Sequence, residues 1–261
     1  RGKTLKAPDT WSDYKSVAKF FTRPDQKKYG HAIITGREYD ALTMGFQQVM
    51  WAWGAAYCDA DFKVQGVLNS PEGVKALEFY CDLCKFLPPG GTNVYHKESR
   101  DLHNSGNVAM SMHYYALMPL LLDASKSKYA GVTGFFAVPA GPKGRFVSLG
   151  GQGFSIIKYS PPKQQELAKK FIKWFLQMEN QKRWSKNPGC FTANIKAMED
   201  HAFFNAAPFN KAFAESLPLL TDFYNIPEFG ELLKPTQKHW NAAIAGTMTP
   251  RQAMDAVAAE H

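Results

Sequence analysis

Cysteine, histidine and carboxylate are the side chains most often used for chemistry, and this chain sets few of them in patterns that perform it. Cys81 and Cys84 form a C-x-x-C, the spacing of redox pairs and of half a zinc site. They fall, however, in the apolar stripe Val74, Leu77, Tyr80, Cys81, Cys84 of a helix that Ser70 caps and Pro71 opens. With no second C-x-x-C at ligand spacing, they read as small buried hydrophobes; pairing of Cys58 with either one stays open. His96 and His103 stand near Glu98 and Asp101 in a short polar helix, a weak metal arrangement for which a solvated surface is the preferred reading. Asp59 and Asp61 occupy a turn, where aspartate serves local hydrogen bonds, and receive no acid–base role. The patterns H-E-x-x-H, G-x-S-x-G and G-x-x-x-x-G-K-[ST] do not occur. Gly150-Gly151-Gln152-Gly153 leads into a β-prone run, not a helix, and is no dinucleotide fingerprint. No catalytic residue, metal ligand or cofactor is assigned.

Aromatic residues are the informative class, with 19 Phe, 11 Tyr and 6 Trp. Most are assigned to the core, including Phe171, Trp174 and Phe175. Two groups do not fit a helical stripe. His113-Tyr114-Tyr115 follows a strand end, and Gln152 stands among glycines at the entry to another strand, which is where α/β folds hold ligands. Tyrosine offers a ring face to sugar C–H groups and a hydroxyl to sugar hydroxyls, and glycine lets backbone come close. At this point two readings are open: a binding site, or aromatic packing beside a tight turn.

The elements that must position these groups alternate between helix and strand. Thr10 and Asp13 cap a helix to about Phe21, Gly30 to Thr35 is β-prone, and a long apolar helix runs from about Tyr39 to Ala56. A hairpin is expected around Phe62 to Leu68, and a helix from Ser70-Pro71 to about Phe86, where Pro88-Pro89-Gly90-Gly91 stops it. Tyr95 to Asn104 reads as a short helix, Val108 to Met112 as a strand and Ala116 to Leu122 as a helix. Strands are expected at Val132 to Val138 and Gly153 to Lys158. From Ser160 the chain is mostly helical, with helices to about Met178 and Asn187, another from Glu228 to Ala245 that Pro235 kinks or splits, and a last one capped by Thr249 and opened by Pro250. The order is mixed α/β, not a strict βαβ repeat.

At 261 residues the chain suits one large or two modest domains, and its 45 % apolar and 21 % charged content excludes disorder and fibrous repeats. No apolar run reaches the length of a membrane span. The net charge of +8 concentrates in Arg1 to Lys28 and Lys163 to Lys186, each +5. Both stretches read as amphipathic helices with solvated lysine faces, not as a nucleic-acid site.

Several segments carry a resemblance. Pro8-Asp9-Thr10-Trp11-Ser12-Asp13-Tyr14, with Ala18-Lys19-Phe20-Phe21-Thr22, resembles the opening segment of family 1 extracellular solute-binding proteins, the carbohydrate-binding components of ABC importers. Trp51-Ala52-Trp53-Gly54-Ala55, Leu68-Asn69-Ser70-Pro71-Glu72 with Ala76-Leu77-Glu78-Phe79-Tyr80, and Gly106-Asn107-Val108-Ala109-Met110 are similar to family segments in the same order. So are Val138-Pro139-Ala140-Gly141-Pro142, Leu149-Gly150-Gly151-Gln152-Gly153 and Ala168 to Trp174.

The resemblance implies a periplasmic-binding-protein type II fold of two hinged lobes that close on a solute and dock on permease transmembrane subunits, with no bond made or broken. It implies an extracytoplasmic location, no cofactor, no nucleic acid and no stable membrane insertion. Family members are longer, so the chain is expected to lack the signal peptide and the first part of the N-terminal lobe. Residues 1–150 and 215–261 would form the C-terminal lobe, and 151–214 a segment of the N-terminal one. The positions implied for the solute are Tyr39, Asp40, Met44, His113, Tyr114, Gly151, Gln152, Glu228 and Phe229. Tyr114 falls at the family's aromatic platform and His113 at a hydroxyl-binding position. Gln152 replaces a common tryptophan, exchanging stacking for amide hydrogen bonds. The solute is expected to be a sugar or polyol; the alternatives are a carbohydrate-active hydrolase and a binder of anionic solutes such as a glycerol phosphate.

Overall fold

A computed structural model describes residues 5–151 and 153–261; the Gln152 assignment lies outside the described residues. Helix α1 (Trp11–Phe21) opens with a reciprocal cap in which the Asp13 N–H donates to Thr10 Oγ1 (3.1 Å) and the Thr10 N–H to Asp13 Oδ2 (3.3 Å). It buries Trp11, Tyr14 and Ala18, turns Lys19 to solvent and pairs the half-buried Lys15 with Asp82. Strand β1 (Tyr29–Ala32) passes beneath it at Gly30, where an added Cβ would sit 2.1 Å from the Ala18 carbonyl oxygen, so only glycine allows the crossing. The apolar helix α2 (Ala41–Trp53) ends on Gly54 at φ +97°. Helix α3 (Pro71–Leu83) starts at the expected Ser70 cap, and α4 (His96–Asn104) leads to β2 (Val108–Ser111). β1 and β2 pair in parallel, Tyr29 with Val108 and His31 with Met110.

After a long irregular stretch with two 3-10 turns, β3 (Val147–Ser148) begins a second excursion through α5 (Pro162–Phe175), α6 (Met178–Ser185), α7 (Ile195–Met198), α8 (His201–Ala206) and α9 (Asn210–Ser216). It returns at β4 (Leu220–Thr221), parallel to β3. Helices α10 (Phe229–Ile244) and α11 (Pro250–Glu260) then fold back on α2 and α3. Trp240 meets Phe46 edge-on at 4.6 Å, and Phe46 meets Tyr80 at 5.4 Å; all three are fully buried. The main hydrophobic cluster draws its buried members from Trp11 to Met110 and from Phe223 to Ala258. A second aromatic cluster, Phe191, Phe203, Phe209 and Phe213, joins the first part of the chain through Tyr115 and Phe135. No helix among the described residues is long and apolar enough to cross a membrane.

Several expectations are corrected. The β-prone runs Val132 to Val138 and Gly153 to Lys158 form no strand among the described residues. A strand needs a paired edge, and Phe154 and Ile157 instead stand exposed. The Phe62 to Leu68 segment is a series of turns, with Asp59 Oδ1 accepting from the Asp61 and Lys63 N–H groups (3.0 and 2.9 Å). Residues Tyr115–Leu121 make a 3-10 helix that contains Pro119. Pro235 does not split α10: the carbonyl left without a partner belongs to Glu231, which is solvent-exposed. The sharpest difference is α5, which buries no residue. Its expected core aromatics Phe171 and Trp174 are half exposed, at 49 % and 50 %, because the rings that pack beside them on that face, Phe154 and Trp184, are themselves exposed.

The C-x-x-C behaves as expected. Cys81 and Cys84 pack half-buried against the main cluster, and burial pushes the Cys81 thiol up to about 12 and the Cys84 thiol further. All four cysteines are free.

Candidate functional site

Three segments leave the carboxyl ends of β1, β2 and β3 and converge. After β1 the chain reaches Tyr39, held at φ +42°, and Asp40, the residue before α2. After β2 comes Tyr114, and after β3 the pair Gly150-Gly151. A fourth element, the start of α4, adds Tyr95 and His96. The Tyr95 hydroxyl donates to Asp40 Oδ1 at 2.6 Å and the Tyr114 hydroxyl to Asp40 Oδ2 at 3.3 Å. One carboxylate is thus held by two phenols from segments 55 and 74 residues away.

The rings form a continuous surface. His96 lies 3.9 Å from Tyr95 and 4.4 Å from Tyr114 between ring centroids. Tyr114 rests on Gly150, where an added Cβ would come within 3.0 Å of its Cε1 and 3.7 Å of the Met44 methyl. Any larger residue at 150 would push the platform aside. Met44 is fixed in turn: its carbonyl accepts from Ser148 Oγ at 3.0 Å, and its sulfur accepts from Gln47 Nε2 at 3.3 Å. Burial, with the Asp40 charge beside them, raises both the Tyr95 and Tyr114 hydroxyls above the ordinary tyrosine value. They remain neutral donors, and the remaining lone pairs of Asp40 are free to accept from hydroxyl groups.

His113 does not join this surface. Its Nε2 lies 3.4 Å from Ser99 Oγ and its ring 6.3 Å from His103, on the side of α4. Burial, reinforced by the neighbouring histidines, pushes it down to about 3, so it is neutral at physiological pH. His96 and His103 are half-buried rather than solvated. His103 bonds Ser111 Oγ and Thr133 Oγ1 at 2.8 and 3.1 Å, and burial lowers both rings. Tyr39 projects outward at 71 % exposure, and Gly151 is open. Phe229 packs edge-on against Phe223 at 5.2 Å, and Glu228 is exposed just before α10 without a capping bond. The structure therefore gathers Asp40, Met44 and Tyr114 with Gly150, leaves Tyr39 and Gly151 at the rim, and turns His113 and Phe229 toward packing.

Tyr95 and His96 were missed by the sequence reading, which took this helix as polar surface. The available signal was an aromatic pair at a helix start marked by a capping glutamate: Glu98 Oε2 accepts from the Tyr95 N–H at 3.2 Å. The arrangement is an open shelf. A hollow of about 560 Å3 lies elsewhere, on the outer side of α4 between Arg100, Asn104 and Lys126, and holds none of the converging residues. Chemically, the shelf offers a carboxylate acceptor, two phenol oxygens and ring faces, a set suited to a neutral molecule rich in hydroxyl groups.

A type II periplasmic binding fold holds these segments, and residues 1–182 match the bacterial extracellular solute-binding protein family; the chain belongs to it. It is 27 % identical to the mannitol-binding protein of Pseudomonas aeruginosa, over 97 % of this chain and 62 % of that protein. It is 28 % identical to YcjN of Escherichia coli K12, a putative ABC transporter periplasmic-binding protein, over 87 % of this chain and 51 % of the relative. Among solved structures, maltose-bound MalE3 of T. maritima superimposes at a TM-score of 0.88 with 27 % identity, over 98 % of this chain and 65 % of its own. A ribitol-bound solute-binding protein of Agrobacterium radiobacter K84 gives 0.85 and 26 %, over 98 % and 64 %. The chain thus spans about half to two thirds of the length of these relatives.

Proposed function

We propose that this chain forms one wall of the solute site of an ABC importer's binding protein, and that the solute is a sugar or polyol. The observation that carries this reading is the Asp40 carboxylate held by Tyr95 and Tyr114 at the carboxyl ends of parallel strands. Relatives named for mannitol, and solved with ribitol and maltose, share the chain's fold and a quarter of its sequence. Tyr39 and Gly151 serve at the rim; Gln152 contributes amide hydrogen bonds to the solute, Glu228 and Phe229 shape the edge at α10, and His113 supports the platform from behind. Residues 1–150 and 215–261 act as one lobe, in keeping with their common hydrophobic cluster. Residues 151–214 act as a segment of the other lobe, for which the half-exposed aromatic face of α5 speaks. The protein works outside the cytoplasm, delivers its solute to permease subunits and leaves it chemically unchanged.

Ligand-observed NMR with millimolar D-mannitol, ribitol and maltose tests this, since it registers even the weak binding of a single wall. Saturable signals are expected that vary little with salt and weaken at least fivefold in Tyr114→Ala, the loss of about 1 kcal/mol or more in aromatic contact. No signal from any neutral polyol or sugar, or turnover of labelled oligosaccharides, would overturn the reading. Binding confined to phosphorylated solutes and lost steeply with salt would favour the anionic alternative.

A further inference from the structure

The residue before a helix usually turns an aspartate side chain back onto the free N–H groups of the first turn. Asp40 occupies that position and makes no such bond. Its carboxylate points the other way, to Tyr95 and Tyr114. The four leading N–H groups of α2 are nevertheless all satisfied. Ala41 donates to the Glu38 carbonyl at 2.9 Å and Met44 to the Asp40 carbonyl at 2.9 Å. The middle two, Leu42 and Thr43, donate to Oε1 of Gln237 at 2.8 and 3.3 Å.

Gln237 belongs to α10, 195 residues further along the chain. It is 3 % exposed, and its Nε2 donates to the Thr43 hydroxyl, which locks the amide in the orientation that presents Oε1 to the helix. One turn later on the same face, Asn241 Nδ2 donates to the carbonyls of Thr35 and Thr92 at 2.9 and 3.0 Å. Those residues precede the segments that carry Asp40 and Tyr95. The pair Gln237 and Asn241 thus holds both sides of the carboxylate–phenol contact from one helix.

We propose that Gln237 is a positioning residue of the solute site: by capping α2 from α10, it takes over the bonds that Asp40 would otherwise make and so leaves that carboxylate facing the solute. The proposal rests on the solute-site reading above for its purpose, but the geometry it asserts is tested without any solute. In Gln237→Met the amide is lost at similar volume, Asp40 rotates back to cap α2, and the two phenols lose their charged acceptor. In Asp40→Ala the phenols lose the acceptor while Gln237 keeps the cap. With both changes, no group caps the helix.

Two measurements on the 261-residue chain follow. Near-ultraviolet difference spectra against wild type should show the same tyrosine band in Gln237→Met as in Asp40→Ala, with no further change in the double variant. Denaturant unfolding should show the double variant losing at least about fivefold more in folding equilibrium constant than the product of the two single losses, the value of an uncapped helix start. Additive losses, or no tyrosine band in Gln237→Met, would overturn the proposal. A Gln237→Met chain that fails to fold would overturn it as well, because Asp40 would then be unable to take over the cap. Absence of solute binding with an intact non-additive pattern would instead count only against the solute reading.

Discussion

Asp40 shows how little a residue's type says about its task until its surroundings are known. Its place before an apolar helix reads equally well as a cap or as a ligand contact, and the choice is made by a glutamine from another helix and two tyrosines from other loops. Of these partners Tyr95 makes the shorter bond. Replacing it by phenylalanine keeps the ring against His96 and deletes only the donor. Tyr95→Phe removes one phenol oxygen from the shelf and loosens the Asp40 carboxylate, and is expected to weaken polyol or sugar binding about tenfold, on the order of one hydrogen bond to the solute, as read by ligand-observed NMR. Its denaturation midpoint should shift little, since the phenol is only partly buried; equal binding by wild type and variant would remove Tyr95 from the site.

At the scale of elements, α5 and α10 make a controlled contrast. Both carry a clear apolar stripe, yet α10 buries Leu233, Trp240 and Ile244 while α5 buries nothing. The expected consequence is a difference in what truncation costs. Trp240→Ala should destabilise the chain by about 3–5 kcal/mol, as core aromatic deletions do. Phe171→Ser and Trp174→Ala should each stay within roughly 0.5 kcal/mol in urea unfolding. A loss at Trp174 comparable to that at Trp240 would show that α5 is packed in solution. The short helices α7 to α9 had no legible period in the sequence, because their aromatic residues pack between segments and not along a stripe.

At the scale of the molecule, stability should depend on a histidine far from the site. His31 on β1 is fully buried, with Nε2 2.9 Å from the Leu83 carbonyl and Nδ1 3.2 Å from the Tyr14 hydroxyl. The carbonyl requires a proton on Nε2, so Nδ1 accepts and the ring is neutral. Burial pushes it down to about 4. The unfolded chain protonates this ring near pH 6.5 and the folded chain only near 4, so its contribution is intact above about 6.5 and is lost as the pH falls between those values. By pH 4.5 the loss from this residue alone should reach roughly 2–3 kcal/mol. His31→Gln, which can keep both hydrogen bonds, should flatten the acid side of a stability profile measured by urea midpoints from pH 7 to 4.5. An unaltered profile would show that His31 is not the group responsible.

The helix starts at Thr10, Ser70 and Thr249, the aspartate turn at Asp59 and the half-buried C-x-x-C were all readable in the chain, because caps, turns and stripes act over a few neighbouring residues. Ordered family segments carried the fold class and the prominence of Asp40, Met44 and Tyr114. Other matters were not readable. The β-prone runs near 135 and 155 stayed unpaired, and the stripe of α5 stayed half exposed, since both outcomes depend on whether a distant partner is present. The outward turn of Asp40, the role of Tyr95 and the capping by Gln237 join positions 55 to 197 residues apart. Local spacing holds no record of such pairings; they exist only once α10 has folded back on α2 and the parallel strands have brought their carboxyl ends together.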